Sequence, residues 1–163
     1  MNKTIFVVGP TCSGKNDFAY QLSKNFKIEI INSDSIQVYK DLKILSNRPN
    51  KIEEKIAPHH LYGYIQNKVF SVQKWLEDVK IILPQIRARG NIPVFVGGTG
   101  LYVQSLIEGI SEIPVTQKKF KDEAEQMLLS EGADYCIEFL NKFYKEGIFP
   151  KDRQRLVNRV AFC

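Results

Sequence analysis

The sequence has few cysteines and no long apolar run, and each absence excludes a class of protein. The three cysteines, Cys12, Cys136 and Cys163, are odd in number and far apart. This spacing indicates neither a disulfide framework nor a zinc site, so we expect a reducing compartment, the cytoplasm. No apolar run approaches the roughly 18 residues of a membrane span. The apolar run Ile5–Val8 is too short for a signal peptide, so we expect no membrane association.

The overall composition is that of an ordinary globular chain. Hydrophobic residues make up 44% and charged residues 25% of its 163 residues, which excludes disordered and fibrous classes. The length fits one domain with a small insertion. Lysine and arginine number 23 against 18 acidic residues, a net charge of +5. This excess favours a polyanionic partner such as nucleic acid or a phosphorylated ligand.

Apolar patterns alternate between strand and helix over the first two thirds of the chain. Runs rich in β-branched residues predict buried strands at Thr4–Val8, Glu29–Ile31 and Ile92–Val96. After each of these strands, apolar residues at helical spacing predict a helix, at 15–25, 72–89 and 101–108. Pro84 lies inside the second of these, and predicts a kink or break near Leu83. Residues 40–70 contain prolines, a glycine and many charges, and predict no long element. The alternation predicts an α/β fold, a parallel sheet with helices on both faces.

The last third of the chain changes to a purely helical pattern. Residues 116–145 predict two helices separated by Gly132, an αα-hairpin inserted into the α/β core. Lys151–Phe162 predicts a further helix. We therefore expect a core over 1–115, a helical insertion over 116–145, and the start of a returning core helix over 146–163.

A glycine-rich loop follows the first strand. It fits the first seven positions of the Walker A pattern, in the strand–loop–helix context that the pattern requires. Its glycines let backbone N–H groups turn around an anion, and the helix N-terminus adds partial positive charge. The eighth position holds an asparagine instead of serine or threonine, and its amide oxygen could still bind Mg²⁺. The predicted diphosphate-binding residues are Gly9, Pro10, Thr11, Cys12, Ser13, Gly14, Lys15 and Asn16.

Four further segments occur in a fixed order after this loop. They are 32–39, reading NSDSIQVY, 58–61, reading PHHL, 89–94, reading RGNIPV, and 96–102, reading VGGTGLY. Together with the loop, this series resembles the tRNA dimethylallyltransferase family. The order and spacing match from residue 4 to about residue 115, which makes the resemblance specific.

The resemblance implies a P-loop-kinase-like fold and a reaction. The family transfers a dimethylallyl group from dimethylallyl diphosphate to the exocyclic amine of the adenosine 3′ to the anticodon, assisted by Mg²⁺. By motif, Asp34 would accept the amine proton. Thr99 would form a hydrogen bond near the reacting carbon and the bridging oxygen. Ser35, Ile36 and Gln37 would contact the flipped nucleotide together with Asp34. The partners implied are dimethylallyl diphosphate and a tRNA anticodon stem-loop, bound by a monomer.

A second RNA-contacting segment is implied near the end of the chain. The run starting at Asp152 resembles the family's segment, and its predicted RNA-binding residues are Gln154, Arg155, Leu156, Val157 and Asn158. Family members are about twice as long as this chain, so we expect the later tRNA-clamping helices to be absent from it. That leaves catalytic activity of this chain open.

Three other functions remain open from the residues alone. An adenylate isopentenyltransferase shares the loop and the Asp34 motif, but would act on a free nucleotide. A small-molecule kinase shares the core. A catalytically inactive remnant would bind diphosphate or RNA without turnover.

Several aromatic and histidine residues have a structural and a functional interpretation. We expect Trp75 in the core, and we expect packing for the pair His59-His60 because no third metal ligand has a recognisable spacing. Tyr39 and Tyr102 fit base stacking and packing equally well.

Overall fold

Strands and helices alternate along the first part of the chain, as the apolar pattern predicts. The structure is a computed structural model, and it describes residues 3–66, 70–110, 116–144 and 152–163. Its elements in chain order are β1 Ile5–Val8, α1 Lys15–Ser23, β2 Ile28–Asn32, β3 His59–His60, α2 Val72–Ala88, β4 Ile92–Gly97, α3 Gly100–Glu108, α4 Lys118–Asn141 and α5 Arg153–Val160. The chain divides into two compact units, 1–111 and 112–163.

The sheet of the first unit is parallel, with strand order β1-β4-β2-β3. Ile5 pairs with Val94, and Ile28 pairs with Ile92, so β4 lies between β1 and β2. The two-residue strand β3 extends the sheet beyond β2, where Ile30 pairs with His59. The three predicted strands are confirmed as strands, and the second and third are buried, but in β1 only Val7 is buried and Val8 is 52% exposed. The strand β3 is an addition that the pattern does not reveal.

Helices cover both faces of this sheet because successive strand residues point to opposite sides. On one face, Val94 and Val96 of β4 pack with Ala19 of α1. On the other face, Phe95 packs with buried residues of α2 and α3, among them Trp75. The prediction of a parallel sheet between helical layers is confirmed.

Helix α2 is continuous from Val72 to Ala88, so of the predicted kink or break near Leu83 the break is wrong, and the kink stays a prediction. Its N-terminus is capped by Ser71, whose hydroxyl oxygen accepts from the N–H of Lys74 at 3.3 Å. Pro84 lies on the exposed side of the helix, while Val79 and Ile86 are fully buried on either side of it. Core packing of these side chains holds the helix together across the residue that lacks an N–H.

The segment 40–66 contains only short elements, as expected. Lys40–Leu42 and Glu53–Lys55 form single turns of 3₁₀ helix. The segment is fastened at its two ends, since the N–H of Lys40 donates to the carbonyl of Ile65 at 2.8 Å.

The second unit has its own apolar core. Gly132 is non-helical (φ 86°, ψ 175°), so α4 consists of two helical stretches, as predicted. Residues from both stretches, Ala124 and Leu140, share a buried cluster with Leu156 and Val160 of α5. The predicted final helix is confirmed over Arg153–Val160, while Lys151 and residues 145–150 lie outside the described residues. The domain boundaries at 115 and 145, and the returning helix, remain predictions.

Within the part of the chain that the structure describes, no helix is both long and apolar enough to cross a membrane.

Candidate active site

Three loops meet at the carboxyl edge of the sheet, where open α/β sheets bind ligands. They follow β1, β4 and β2, which are neighbours in the sheet. A Cβ atom added to Gly98 would lie 3.1 Å from the carbonyl oxygen of Gly9, and one added to Gly97 would lie 2.3 Å from the carbonyl carbon of Ser33. At Gly97 only glycine allows this approach, and at Gly98 the contact is tight, so the pair after β4 lies against both of the other loops.

The loop between β1 and α1 has the conformation of an anion cradle. Cys12 (φ 61°) and Gly14 (φ 75°) are both in the left-handed region, which turns the chain sharply before α1 begins. Gly14 is also the N-cap of α1 and provides no side-chain cap. Inside the loop, the Ser13 hydroxyl donates to the carbonyl of Pro10 at 2.8 Å. The ammonium of Lys15 donates to the same carbonyl and lies 3.4 Å from the Ser13 hydroxyl.

The backbone donors of this loop are available to a ligand. Residues 11–14 are exposed, and no described residue accepts a hydrogen bond from their N–H groups. The N-terminus of α1 lies directly behind them. Free N–H groups, the helix dipole and one lysine are the features of a site for a diphosphate.

Asp34 follows β2 at the next part of this edge and is half-buried. Its Oδ1 accepts from the N–H of Ile36 at 2.8 Å and from the N–H of Gln37 at 3.4 Å. Among the described residues, no group donates to Oδ2. The carboxylate therefore keeps one oxygen free to accept a proton from a bound molecule.

Thr99 links the loop after β4 to the loop after β2. Its Oγ1 accepts from the N–H of Ser35 at 2.9 Å and donates to the Ser35 hydroxyl at 3.3 Å. The N–H of Thr99 also donates to the carbonyl of Ser33, at 3.3 Å. The structure thus connects the loop that contains Thr99 to the turn that contains Asp34, through Ser35.

The predicted nucleotide-contacting residues lie on the same turn. Ile36 is 49% exposed, and Gln37 is half-buried because its side-chain amide donates to the carbonyl of Ser46 at 2.8 Å. Arg48 supports the end of this segment by donating to the carbonyl of Tyr39 at 3.0 Å. Ser35–Gln37 therefore forms a fixed, partly exposed ridge beside Asp34.

The aromatic residues behind the site are packing residues. Trp75 is fully buried, and its ring centroid lies 4.6 Å from that of Tyr102. Burial raises the pKa of the Tyr102 phenol to about 12. Of the two interpretations of Tyr102, the structure supports packing.

Both histidines of the predicted pair have structural contacts. His59 Nδ1 donates to the carbonyl of Ala57 at 2.7 Å, and its ring contacts those of Tyr20 and Tyr62 edge-on. Burial lowers the pKa of His59. His60 contacts the buried carboxylate of Glu29 at 2.6 Å.

The second predicted RNA segment lies on α5 in the other unit. Gln154, Arg155 and Asn158 are exposed, and Val157 is half-buried. Leu156 is completely buried in the core of that unit, so its side chain has no surface to present. The helix is capped by Asp152, whose carboxylate accepts from the N–H of Arg155 at 3.1 Å.

Metal ligands are sparse in this structure. The described residues contain no group of three or more His, Cys, Asp or Glu side chains that could hold an ion. Asn16 lies in the first turn of α1, directly after Lys15, and is half-buried. Its amide oxygen is a suitable ligand for a Mg²⁺ ion that takes its other ligands from phosphate and water.

Two buried polar residues of β2 near the site were not predicted from the sequence. Asn32 is completely buried, and its side-chain amide forms hydrogen bonds with both the backbone N–H and the carbonyl of Asp34. Glu29 is 1% exposed and accepts two bonds of 2.7 Å from the guanidinium of Arg89. Polar residues within a buried apolar strand were the available signal for both.

A parallel sheet with a Walker-type loop between β1 and α1 defines a P-loop-kinase-like α/β protein. The sequence model of the IPP transferase family matches residues 37–163, and the chain belongs to this family.

Similar proteins agree with that assignment. The chain is 44% identical over 160 residues to a tRNA dimethylallyltransferase of Pelagibacter ubique, covering 96% of this chain and 51% of the relative. It is 40% identical to the enzyme of that name from Rhizobium leguminosarum, covering 96% and 54%. The chain thus spans about half the length of these curated relatives.

Solved structures of similar proteins show the same fold. A tRNA isopentenylpyrophosphate transferase of Bacillus halodurans matches with a TM-score of 0.66 and 28% identity, over 99% of this chain and 55% of that one. A eukaryotic dimethylallyltransferase acting on tRNA matches with a TM-score of 0.77 and 29% identity, over 98% and 41%.

Proposed function

We propose that this chain transfers a dimethylallyl group from dimethylallyl diphosphate to the exocyclic amine of the adenosine 3′ to a tRNA anticodon. The observation that carries the proposal is the meeting of a phosphate loop, Thr99 and Asp34 at three adjacent strand ends. The names of the similar proteins support the same reaction.

The loop Gly9–Asn16 would bind the diphosphate of the donor. Its exposed N–H groups would face the phosphate oxygens, and Lys15 would exchange its bond to the Pro10 carbonyl for one to phosphate. Charge develops on the diphosphate as it leaves, so donors fixed in advance lower the barrier.

Asp34 and Thr99 would act at the reacting atoms. The amine nitrogen forms a bond to C1 of the dimethylallyl group while the bond from C1 to the bridging oxygen breaks. The electron pair of the broken bond leaves with the diphosphate. The nitrogen then loses one proton to the free Oδ2 of Asp34, which restores a neutral secondary amine. Thr99 would lie near the bridging oxygen, held in place through Ser35.

The phosphate loop offers one protein ligand for magnesium, the amide oxygen of Asn16. Asn16 would hold a Mg²⁺ ion together with oxygens of the diphosphate, as expected for an ion that keeps several waters. Bound there, the ion would neutralise charge on the leaving group.

In the first unit, Ser35–Gln37 would contact the acceptor RNA. For the second unit, the motif separately predicts RNA contacts at Gln154, Arg155, Val157 and Asn158. The target adenosine must leave its stack to reach Asp34, as for other enzymes that modify a base. The net charge of +5 favours such a partner.

The test is transfer of a labelled dimethylallyl group by the 163-residue chain, with Mg²⁺ and an anticodon stem-loop. We expect labelled RNA with the unaltered chain and none with Asp34→Asn. Preference for AMP over the stem-loop would favour an adenylate isopentenyltransferase instead. Absence of transfer to either acceptor by a demonstrably folded chain would reject catalysis and leave binding without turnover.

A further inference from the structure

We infer that Asn32 is a positioning residue, which fixes the Asp34 carboxylate in the orientation that leaves Oδ2 free for the substrate. The inference rests on the proposed function, because it assigns Asn32 a part in the same reaction. The Asn32 side chain is polar and yet fully buried.

The Asn32 side chain holds the residue Asp34 from both sides. Its Oδ1 accepts from the N–H of Asp34 at 2.9 Å, and its Nδ2 donates to the carbonyl of Asp34 at 3.0 Å. The second proton of Nδ2 goes to the carbonyl of Leu61, also at 3.0 Å. Every donor of this amide is used, and its side chain is fully buried. The backbone at Asp34 is therefore fixed at both of its peptide groups.

Asn32 is itself fixed by the core. It is the last residue of β2 and pairs with Val96 of β4. Its carbonyl accepts from the indole Nε1 of Trp75 at 2.9 Å, and Trp75 is fully buried. Hydrogen bonds thus connect Trp75 in the core to Asn32, and Asn32 to Asp34 at the edge of the sheet.

The direction of the carboxylate follows from this restraint. With the backbone held by Asn32, Oδ1 is occupied by the N–H groups of Ile36 and Gln37. Rotation of the side chain would break these bonds, so Oδ2 keeps its position. A proton acceptor needs this precision, because a displacement of about 1 Å can reduce a rate roughly 100-fold.

Three variants separate positioning from simple stability. Asn32→Ser keeps a hydroxyl that can accept from the N–H of Asp34, but loses the two donated bonds. Asn32→Asp keeps Oδ1 and places a second oxygen against the two carbonyls. Asn25→Ser, at an exposed asparagine after α1, is the matched control.

The first readout is steady-state transfer. We expect kcat to fall about 10-fold in Asn32→Ser and about 100-fold in Asn32→Asp. The affinity for inorganic diphosphate should be unchanged in both, since the phosphate loop is not touched. The control should match the unaltered chain. A kcat in Asn32→Ser equal to that of the unaltered chain would overturn the inference, and so would an equal loss of diphosphate affinity.

The second readout does not require activity. Amide hydrogen exchange of Ile36 and Gln37 reports whether Asp34 Oδ1 still accepts from them. We expect their exchange to become about 10-fold faster in Asn32→Ser, with β2 and β4 amides unchanged. Unchanged exchange at both residues in a folded variant would overturn the inference even if the proposed reaction is wrong. Faster exchange together with an inactive parent chain would reject the reaction alone.

Discussion

Thr99 Oγ1 accepts a hydrogen bond of 2.9 Å from the backbone N–H of Ser35. The two residues are far apart in the chain, and the bond joins the turns that follow β4 and β2. The Thr99 hydroxyl thus adds a side-chain link to the backbone bonds between Ser33 and the strand end at β4, where the N–H of Thr99 donates to the Ser33 carbonyl at 3.3 Å.

Replacing Thr99 by valine should slow transfer while leaving the fold intact. Valine has the same shape but cannot accept from the Ser35 N–H, so the Asp34 turn loses its side-chain bond to Thr99 and keeps only the backbone bonds to this loop. We expect kcat to fall about 10-fold or more, measured with labelled donor and stem-loop RNA. Thr99→Ser, which keeps the hydroxyl, should recover most of the rate. Equal rates for the valine and serine variants would contradict the assigned role.

Replacing Lys15 by alanine should weaken binding of inorganic diphosphate. A charge-assisted bond to phosphate would be lost, so we expect about 10- to 100-fold weaker binding by titration calorimetry. Lys24→Ala removes the same charge at the exposed opposite end of α1 and serves as the control. If both variants bind alike, the loop is not the anion site.

Gly97 and Gly100 form a matched pair for testing the close approach of the loops. A Cβ atom at Gly97 would lie 2.4 Å from the carbonyl oxygen of Ser33, whereas one at Gly100 would meet nothing within 4 Å. Gly97→Ala should lower the free energy of unfolding by about 1–3 kcal/mol or more. Gly100→Ala, at the start of a helix, should leave it unchanged or raise it by up to about 1 kcal/mol. Urea denaturation measures both, and similar values would show that the loops have room to separate.

Acid stability should depend on Glu29. Hydrogen bonds from Arg89, with others from Asn91 and His60, lower the pKa of this buried carboxyl from 4.5 to about 2. A carboxyl with a lowered folded-state pKa stabilises the fold above its unfolded pKa, and this stability is lost as the pH falls from about 4.5 towards 2. The difference corresponds to about 3 kcal/mol.

Glu29→Gln should therefore remove most of the acid-dependent part of the free energy of unfolding, measured by denaturation at a series of pH values. Glu77→Gln makes the same change on the exposed face of α2 and should reproduce the original pH profile. If the free energy of unfolding of Glu29→Gln falls at acidic pH as it does in the unaltered chain, the hydrogen bonds to Glu29 contribute no pH dependence.

Pro84→Ala should stabilise the protein. The helix already continues through this exposed position, so alanine restores a backbone N–H without disturbing the core. We expect the free energy of unfolding to rise by about 1–3 kcal/mol. Gln85→Ala, at the exposed neighbouring residue, should change it little. A loss of stability in Pro84→Ala would mean that a bend at this residue is needed for packing.

The order of strands and helices could be predicted because local apolar patterns decide it. The run ending at Val96 is buried almost throughout, the run ending at Val8 is buried only at Val7, and each is followed by glycine. The break at Pro84 was wrong because the rule for proline considers the backbone alone. Burial of Val79 and Ile86 outweighs the missing bond.

The partners of the buried polar residues could not be predicted from local pattern. Glu29 has its partners at residues 60, 89 and 91, and nothing near residue 29 indicates them. Asn32 is similar, since its contacts with Leu61 and Trp75 exist only once the sheet has formed. The candidate residues Asp34 and Thr99 were predicted by their motifs, but the bond that joins them through Ser35 was not.

The position of β4 between β1 and β2 has a consequence for biosynthesis. Ile5 pairs with Val94, and among the strands that the structure describes β1 pairs with β4 alone, so it lacks this partner until the chain has been made as far as β4. Pairing over so long a separation is slow. While the ribosome adds the intervening residues, the first strand and the phosphate loop behind it remain without their neighbour. We therefore expect a nascent chain ending before Ile92 to be recognised by chaperones, and one extended beyond Glu108 to close its sheet.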